Sequence, residues 1–157
     1  ACVTSDLPII DRRERLEGYR QALAEYGITP DRSWVISVPF NEEGGERAAH
    51  QLLNCGIPFT AAVTFNDVMA AGIMRILHLK GITLPQQLSI VGFDDVVMAR
   101  YLYPALTTMH YPVERMARCA SQLAIQLFKG ATQQPCVNSF AAELVVRDSV
   151  LPPGSGN

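Results

Sequence analysis

The chain has 157 residues, 48% of them apolar and 18% charged, with 13 basic against 15 acidic side chains and a net charge of −2. This is the composition of one folded domain, able to bury roughly 70% of its unfolded surface, and it excludes a disordered tail. No run of Lys or Arg and no apolar stretch of about 18 residues occurs, which excludes a basic nucleic-acid stripe and a membrane-spanning helix.

In chain order, helical and extended patterns alternate. Residues 1–5 read as a short buried strand that opens abruptly, without the basic start and long apolar core of a signal peptide. Leu16, Tyr19, Leu23 and Tyr26 recur at helical spacing, and Gly27 stands where a helix end favours a left-handed residue. Residues 34–38 are a second strand. Ala48, Ala49, Leu52 and Leu53 mark a second helix, closed by Gly56. Residues 60–65 are a third strand. A third helix runs over 67–80 with Asp67 as a suitable N-cap and Gly81 at its end. Residues 88–92 are a fourth strand. This alternation argues an α/β fold, a parallel sheet with helices on both faces.

After Phe93 the rhythm changes. A long connection carries Tyr101, Tyr103 and Pro104, and a short strand follows over 106–111. Pro112 suits a first helical position. Val113, Met116, Ala120, Leu123, Ala124 and Leu127 give a long amphipathic helix reaching Lys129. A loop over 130–135 and an extended segment over 137–146 come next, and the Pro/Gly/Ser-rich tail over 151–157 is expected to fray.

The cysteines, Cys2, Cys55, Cys119 and Cys136, show no metal or redox spacing and read as reduced thiols of a cytosolic protein. His50, His78 and His110 stand apart from one another, so no metal site and no cofactor is expected.

In an open parallel sheet, ligands bind beyond the C-terminal ends of the strands. The loops there carry Arg15, Phe40, Asn41, Asn66, Asp67, Asp94 and Asp95. Hydrogen-bonding groups beside an aromatic face suit a neutral polyhydroxy ligand. Each residue also has a structural reading: Asp67 as a helix cap, Asp94-Asp95 as a solvated turn, Phe40 as core, Arg15 as surface. Enzyme signatures are lacking. No nucleophile elbow, phosphate loop or dinucleotide fingerprint occurs, and Gly44-Gly45 is an isolated pair opening a helix. Adjacent carboxylates such as Asp94-Asp95 do not supply the gap of about 5–9.5 Å that glycoside hydrolysis needs. No catalytic residue is assigned.

Four stretches occur in order: Arg15-Leu16-Glu17-Gly18-Tyr19, Phe65-Asn66-Asp67-Val68-Met69-Ala70-Ala71-Gly72, Ser89-Ile90-Val91-Gly92-Phe93-Asp94-Asp95 and Pro104-Ala105-Leu106-Thr107-Thr108. Together they resemble the effector-binding core of the lactose/galactose repressor (LacI/GalR) family of bacterial transcription regulators, over about residues 1–150. Gly44-Gly45-Glu46, Arg100-Tyr101 and Tyr111-Pro112 look closest to its galactose repressor and isorepressor branch.

The resemblance implies a periplasmic-binding-protein-like, two-lobed fold that binds a sugar effector, a galactose-like hexose, between its lobes. Residues 1–106 and 137–150 would form the C-terminal lobe. Residues 107–136 would be a hinge strand and helix belonging to a mostly missing N-terminal lobe. It also implies sugar contacts at Arg15, Phe40, Asn66, Asp94 and Tyr111, although a tyrosine at 111 departs from the lactose-type pattern. A homodimer surface is implied on the exposed side of the helix after Asp67, at Ala70, Ile73, Met74 and Leu77, and at Met98 and Tyr101. Operator DNA would be gripped only through a missing N-terminal domain, and the regulator would be cytoplasmic. A periplasmic-type sugar-binding protein and a small α/β enzyme are the competing classes.

Overall fold

The computed structural model describes residues 1–130 and 137–152. Five short strands form a parallel array: β1 (Cys2–Ser5), β2 (Val35–Val38), β3 (Ala61–Thr64), β4 (Ser89–Phe93) and β5 (Thr107–His110), in the order β2-β1-β3-β4-β5. A sixth strand, β6 (Glu143–Val145), returns antiparallel along β5, with Thr108 opposite Val145 and His110 opposite Glu143. Only this short piece of the expected extended segment pairs as strand.

The helices are α1 (Ile10–Glu25), α2 (Glu42–Asn54), α3 (Asp67–Leu79) and α4 (Val113–Phe128). Gly27 and Gly81, just past α1 and α3, hold left-handed φ angles of 69° and 72°. That conformation costs L-residues energy and costs glycine little.

The two faces of the sheet are unequally covered. Val3, Ile36, Ala62 and Ile90 share one face and pack against Ala48, Ala49 and Leu52 of α2 and Met69, Ile73 and Leu77 of α3. The two helices approach closely because small residues line their seam. A Cβ on Gly45 would stand 2.2 Å from the Met69 carbonyl oxygen, and one on Gly72 would stand 2.2 Å from that of Glu42. This explains the Gly44-Gly45 pair that opens α2.

The other face carries α1, and there Ser37, Ala61 and Val63 remain exposed. No residue of α1 is fully buried. Leu16, Tyr19 and Leu23 are half-buried, and Tyr26 is exposed.

Three expectations need correction. Ala70, Ile73, Met74 and Leu77 are not on an exposed helix side: all four are buried. Helix α3 packs on the sheet and, along its flank, against α2, so most of its circumference is core, and its open positions include Arg75, His78 and Leu79. Asp67 is not the cap of α3. Asn66 is, its side chain accepting from the Met69 amide at 2.9 Å. Leu151 is not frayed, since its amide donates to Ser89 Oγ at 3.1 Å. Most of the loop expected over 130–135 and the end of the tail lie outside the described residues.

The segment after β6 is stitched into the lobe. Ser149 is buried; its hydroxyl donates to the Ile90 carbonyl at 2.6 Å and accepts from the Thr107 amide at 2.8 Å. The Asp148 amide donates to the Ala105 carbonyl at 3.0 Å.

Helix α4 is different. It has a marked apolar side, yet none of its residues is buried. Val113, Met116, Cys119 and Leu123 line an open groove with Tyr111 and Phe140.

Candidate functional site

The C-terminal ends of β1, β3, β4 and β5 share one edge of the sheet, and α1 crosses it. Arg15 reaches this edge from the second turn of α1. Its guanidinium carbon lies 3.6 Å from the centre of the Phe93 ring and 4.4 Å from that of Phe65. Its Nη1 donates to the Phe65 carbonyl. Phe65 directly follows β3 and Phe93 ends β4, so parallel pairing of these strands sets the two rings where one arginine meets both.

Each ring precedes a polar residue of the site. Asn66 follows Phe65, and its amide serves two local contacts. Oδ1 caps α3, and Nδ2 donates to the Phe40 carbonyl at 3.3 Å. One N–H of that amide remains for a ligand. Phe40 is tied to Asn66 through its backbone carbonyl, and its side chain is half-exposed. Asn41, from the same loop, caps α2 by accepting from the Gly44 amide at 2.9 Å.

Asp94 follows Phe93, where the backbone turns sharply. Asp94 and Asp95 have φ angles of 117° and 52°, and the Asp94 amide donates to the Met109 carbonyl at 2.9 Å. These strained conformations aim consecutive carboxylates in different directions. Asp94 stays at the edge near Arg15. Burial pushes its carboxyl up to about 6, against the downward pull of Arg15, and Asp67 and Asp11 add to the rise. Burial likewise lowers the Arg15 guanidinium and raises the Tyr111 phenol, the latter reinforced by Asp94. Tyr111 packs on Phe93 with ring centres 5.9 Å apart.

All five sequence-assigned ligand residues therefore fall in one row. Phe40 touches Asn66, Asn66 adjoins Phe65, Arg15 lies over Phe65 and Phe93, and Asp94 and Tyr111 flank Phe93.

Asp95 turns instead toward Arg147 and His110. Its Oδ1 accepts from Arg147 Nη2 at 2.5 Å, and its Oδ2 lies 3.2 Å from His110 Nδ1. Arg147 also donates to the Leu106 carbonyl at 2.7 Å. Asp67 is fully buried beneath the turn, accepting from Thr108 Oγ1 at 2.5 Å and from the Val96 amide at 2.9 Å. Sequence reasoning assigned no role to Arg147 or Ser149. A lone arginine and serine in the last extended segment carry no spacing signal, and only the antiparallel return of β6 reveals them.

The expected second surface divides. Met98 and Tyr101 are exposed, with Val97 and Tyr103, in the connection after β4. The α3 residues named with them are core.

An apolar groove lies elsewhere, lined by Tyr19, Leu23, Tyr26, Trp34 and Phe59. It lacks converging charged groups, so the row at the strand ends is the better candidate for a polar ligand. Among the described residues no group of three His, Cys, Asp or Glu side chains could hold a metal ion, and no helix is long and apolar enough to cross a membrane.

Comparison with known proteins places this geometry. The family model described as a periplasmic binding protein-like domain matches residues 4–150. The HTH-type transcriptional regulator GalR of Escherichia coli (strain K12) is 43% identical over 149 residues, covering 95% of this chain and 43% of that protein. The chain therefore spans less than half the length of that relative. A sugar-binding transcriptional regulator of the LacI family from Escherichia coli, solved in complex with phosphate, superposes with a TM-score of 0.88 at 34% identity, over 98% of this chain and 55% of that one. The transcriptional regulator CelR, solved with cellobiose, superposes at 0.90 with 29% identity, over 96% of this chain and 46% of that one.

Proposed function

The chain belongs to the periplasmic-binding-protein-like family, among its LacI-type regulators, and from that premise we propose that it is the effector-binding part of a transcriptional repressor controlled by a galactose-like hexose. The single observation that carries the ligand reading is the row at the strand ends. It brings a cation, a carboxyl group, a primary amide and two aromatic faces together from separate elements. Arg15 and Asn66 donate to sugar hydroxyls, Asp94 accepts from them, and Phe40 and Tyr111 pack on ring C–H groups. The names of the relatives favour a regulator over a transport protein or an enzyme.

The row is one wall of a cleft. The opposite wall belongs to a second lobe, to which the hinge strand β5 leads and on which the apolar side of α4 packs. Sugar favours one arrangement of the lobes and operator DNA the other, so each weakens the other by linkage. Operator contacts come from residues outside these 157, and the regulator works in the cytoplasm as a homodimer. Met98 and Tyr101 lie on the dimer surface, with the open side of α3 in place of its buried side. The 157-residue chain alone binds hexose weakly or not at all, and it does not bind operator.

Thermal shifts of the intact protein with galactose, fucose, glucose and ribose test this reading. A specific ligand raises the melting temperature by mass action. A response to galactose or fucose is expected. No response to either overturns the galactose assignment.

A further inference from the structure

We propose that Phe93 is a positioning residue, its ring fixing the guanidinium of Arg15 in the orientation from which it meets ligand. This inference rests on the sugar-cleft reading and adds to it a residue that never needs to touch the sugar.

Arginine is a long side chain, and an exposed one samples many rotamers. Holding it still for a ligand costs conformational entropy at the moment of binding unless it is held beforehand. Here three contacts hold it. The Phe93 ring centre is the nearer of the two aromatic contacts, at 3.6 Å from the guanidinium carbon, with Phe65 at 4.4 Å. Nη1 is committed to the Phe65 carbonyl. The salt bridge to Asp11 is long, at 4.0 Å, and Asp11 is well exposed, so it fixes little. The two rings and the carbonyl therefore do the holding. They leave Nε and Nη2 as the donors available to a ligand.

The placement of Phe93 is itself constrained. It is the last residue of β4, paired with Met109 of β5, and the strained Asp94 follows directly. Tyr111 packs on the same ring at 5.9 Å. One ring thus links Arg15, Asp94 and Tyr111, three of the residues assigned to the ligand. Phe65 makes a parallel contact but is nearly buried, so its replacement disturbs the core as well. Phe93 is only partly buried and can be changed more cleanly.

The test uses the 157-residue chain with Phe93→Leu, which removes the ring and keeps an apolar side chain, and Phe93→Tyr, which keeps the ring. Phe93→Met replaces the leucine variant if that one does not fold. Nuclear magnetic resonance reads the Arg15 Nε–H signal without any ligand. It is expected to be displaced by ring currents and slow to exchange in the parent and in Phe93→Tyr, and to move to the position of a free arginine in Phe93→Leu. The Asp94 carboxyl carbon gives a second readout. Release of Arg15 removes its downward pull, so the Asp94 midpoint rises in Phe93→Leu and holds in Phe93→Tyr. An Arg15 signal and an Asp94 midpoint unchanged in Phe93→Leu overturn the proposal. A galactose titration of the intact protein forms a separate arm, with about tenfold weaker binding expected in Phe93→Leu and recovery in Phe93→Tyr. Equal binding by parent and Phe93→Leu also overturns it. If the parent takes up no galactose while Phe93→Leu still frees Arg15, the sugar reading fails and the positioning of Arg15 by Phe93 stands.

Discussion

Asp67 and Thr108 meet in the core at 2.5 Å, the hydroxyl donating to a carboxylate oxygen that no solvent reaches. Thr108 is on β5 and Asp67 opens α3, so this contact joins that strand to the helix. The other carboxylate oxygen accepts from the Val96 amide at 2.9 Å, which fixes the connection carrying Met98 and Tyr101. One buried acid therefore ties together β5, α3 and the proposed dimer surface.

Thr108→Val keeps the shape of that side chain and removes its hydroxyl. One oxygen of Asp67 is then left buried without this donor, which costs about 1–3 kcal/mol. Urea unfolding is expected to show a loss of that size. An unchanged midpoint would mean that the carboxylate finds another donor.

The second tie is the Asp95–Arg147 pair at 2.5 Å, with both side chains mostly shielded from solvent. Removing Asp95 leaves Arg147 partly buried without its counter-charge, and removing Arg147 leaves Asp95 with the His110 contact alone. Asp95→Asn and Arg147→Met are each expected to cost about 2–4 kcal/mol, and the double variant less than their sum. Additive losses in a double-mutant cycle would show that the pair carries no coupling.

Gly45 and Gly72 make the α2–α3 seam possible. An added Cβ at either stands 2.2 Å from a backbone oxygen, which cannot swing aside as a side-chain tip can. Gly72→Ala is therefore expected to lose at least about 2 kcal/mol, although alanine is the better helix former. Calorimetric melting checks the sign; a stabilised Gly72→Ala would refute the close approach.

The alternation of strands and helices was legible because both periodicities are strong. The gathering of Arg15, Asn66 and Asp94 at one edge was legible because topology alone brings the C-terminal strand ends together. What escaped was whatever depends on which side of an element is covered. Apolar residues at helical spacing over 70–77 do not say whether core or a partner receives them, and α3 packs against both the sheet and α2. Asn66 and Asp67 are both good caps by type. Their roles were settled only because the backbone at Asn66 is extended while Asp67 turns inward to Thr108. The pairing of Asp95 with Arg147 spans 52 positions and leaves no local trace.

Helix α4 gives a prediction about order. A 16-residue helix without tertiary support is marginal in water, and no residue of α4 is buried. Its amides are therefore expected to exchange with solvent far faster than those of α3 in a dilute sample of the 157-residue chain. Covering the apolar side should slow them, so protection is expected to rise with concentration if copies associate there. Protection of α4 equal to that of α3 in a dilute monomer would refute the uncovered face.

Asp94 gives a prediction about pH. Its carboxyl is raised from the usual 3.8 to about 6, chiefly by burial. A raised acid favours the folded state while it is protonated. Its contribution is fully present below the unfolded value and is lost as pH rises through about 6. At pH 7.5 the folded chain therefore carries an ionised, poorly solvated Asp94, at a cost of roughly 1–2 kcal/mol at this half-exposed position. Asp94→Asn removes that cost. Its melting temperature is expected to exceed the parent's at pH 7.5, and the difference should shrink between pH 6 and pH 4. The same substitution removes an acceptor from the ligand row, so the stabilised variant should bind galactose more weakly. Equal stability of parent and variant at pH 7.5, or a gain that persists unchanged at pH 4, would show that Asp94 ionises without penalty.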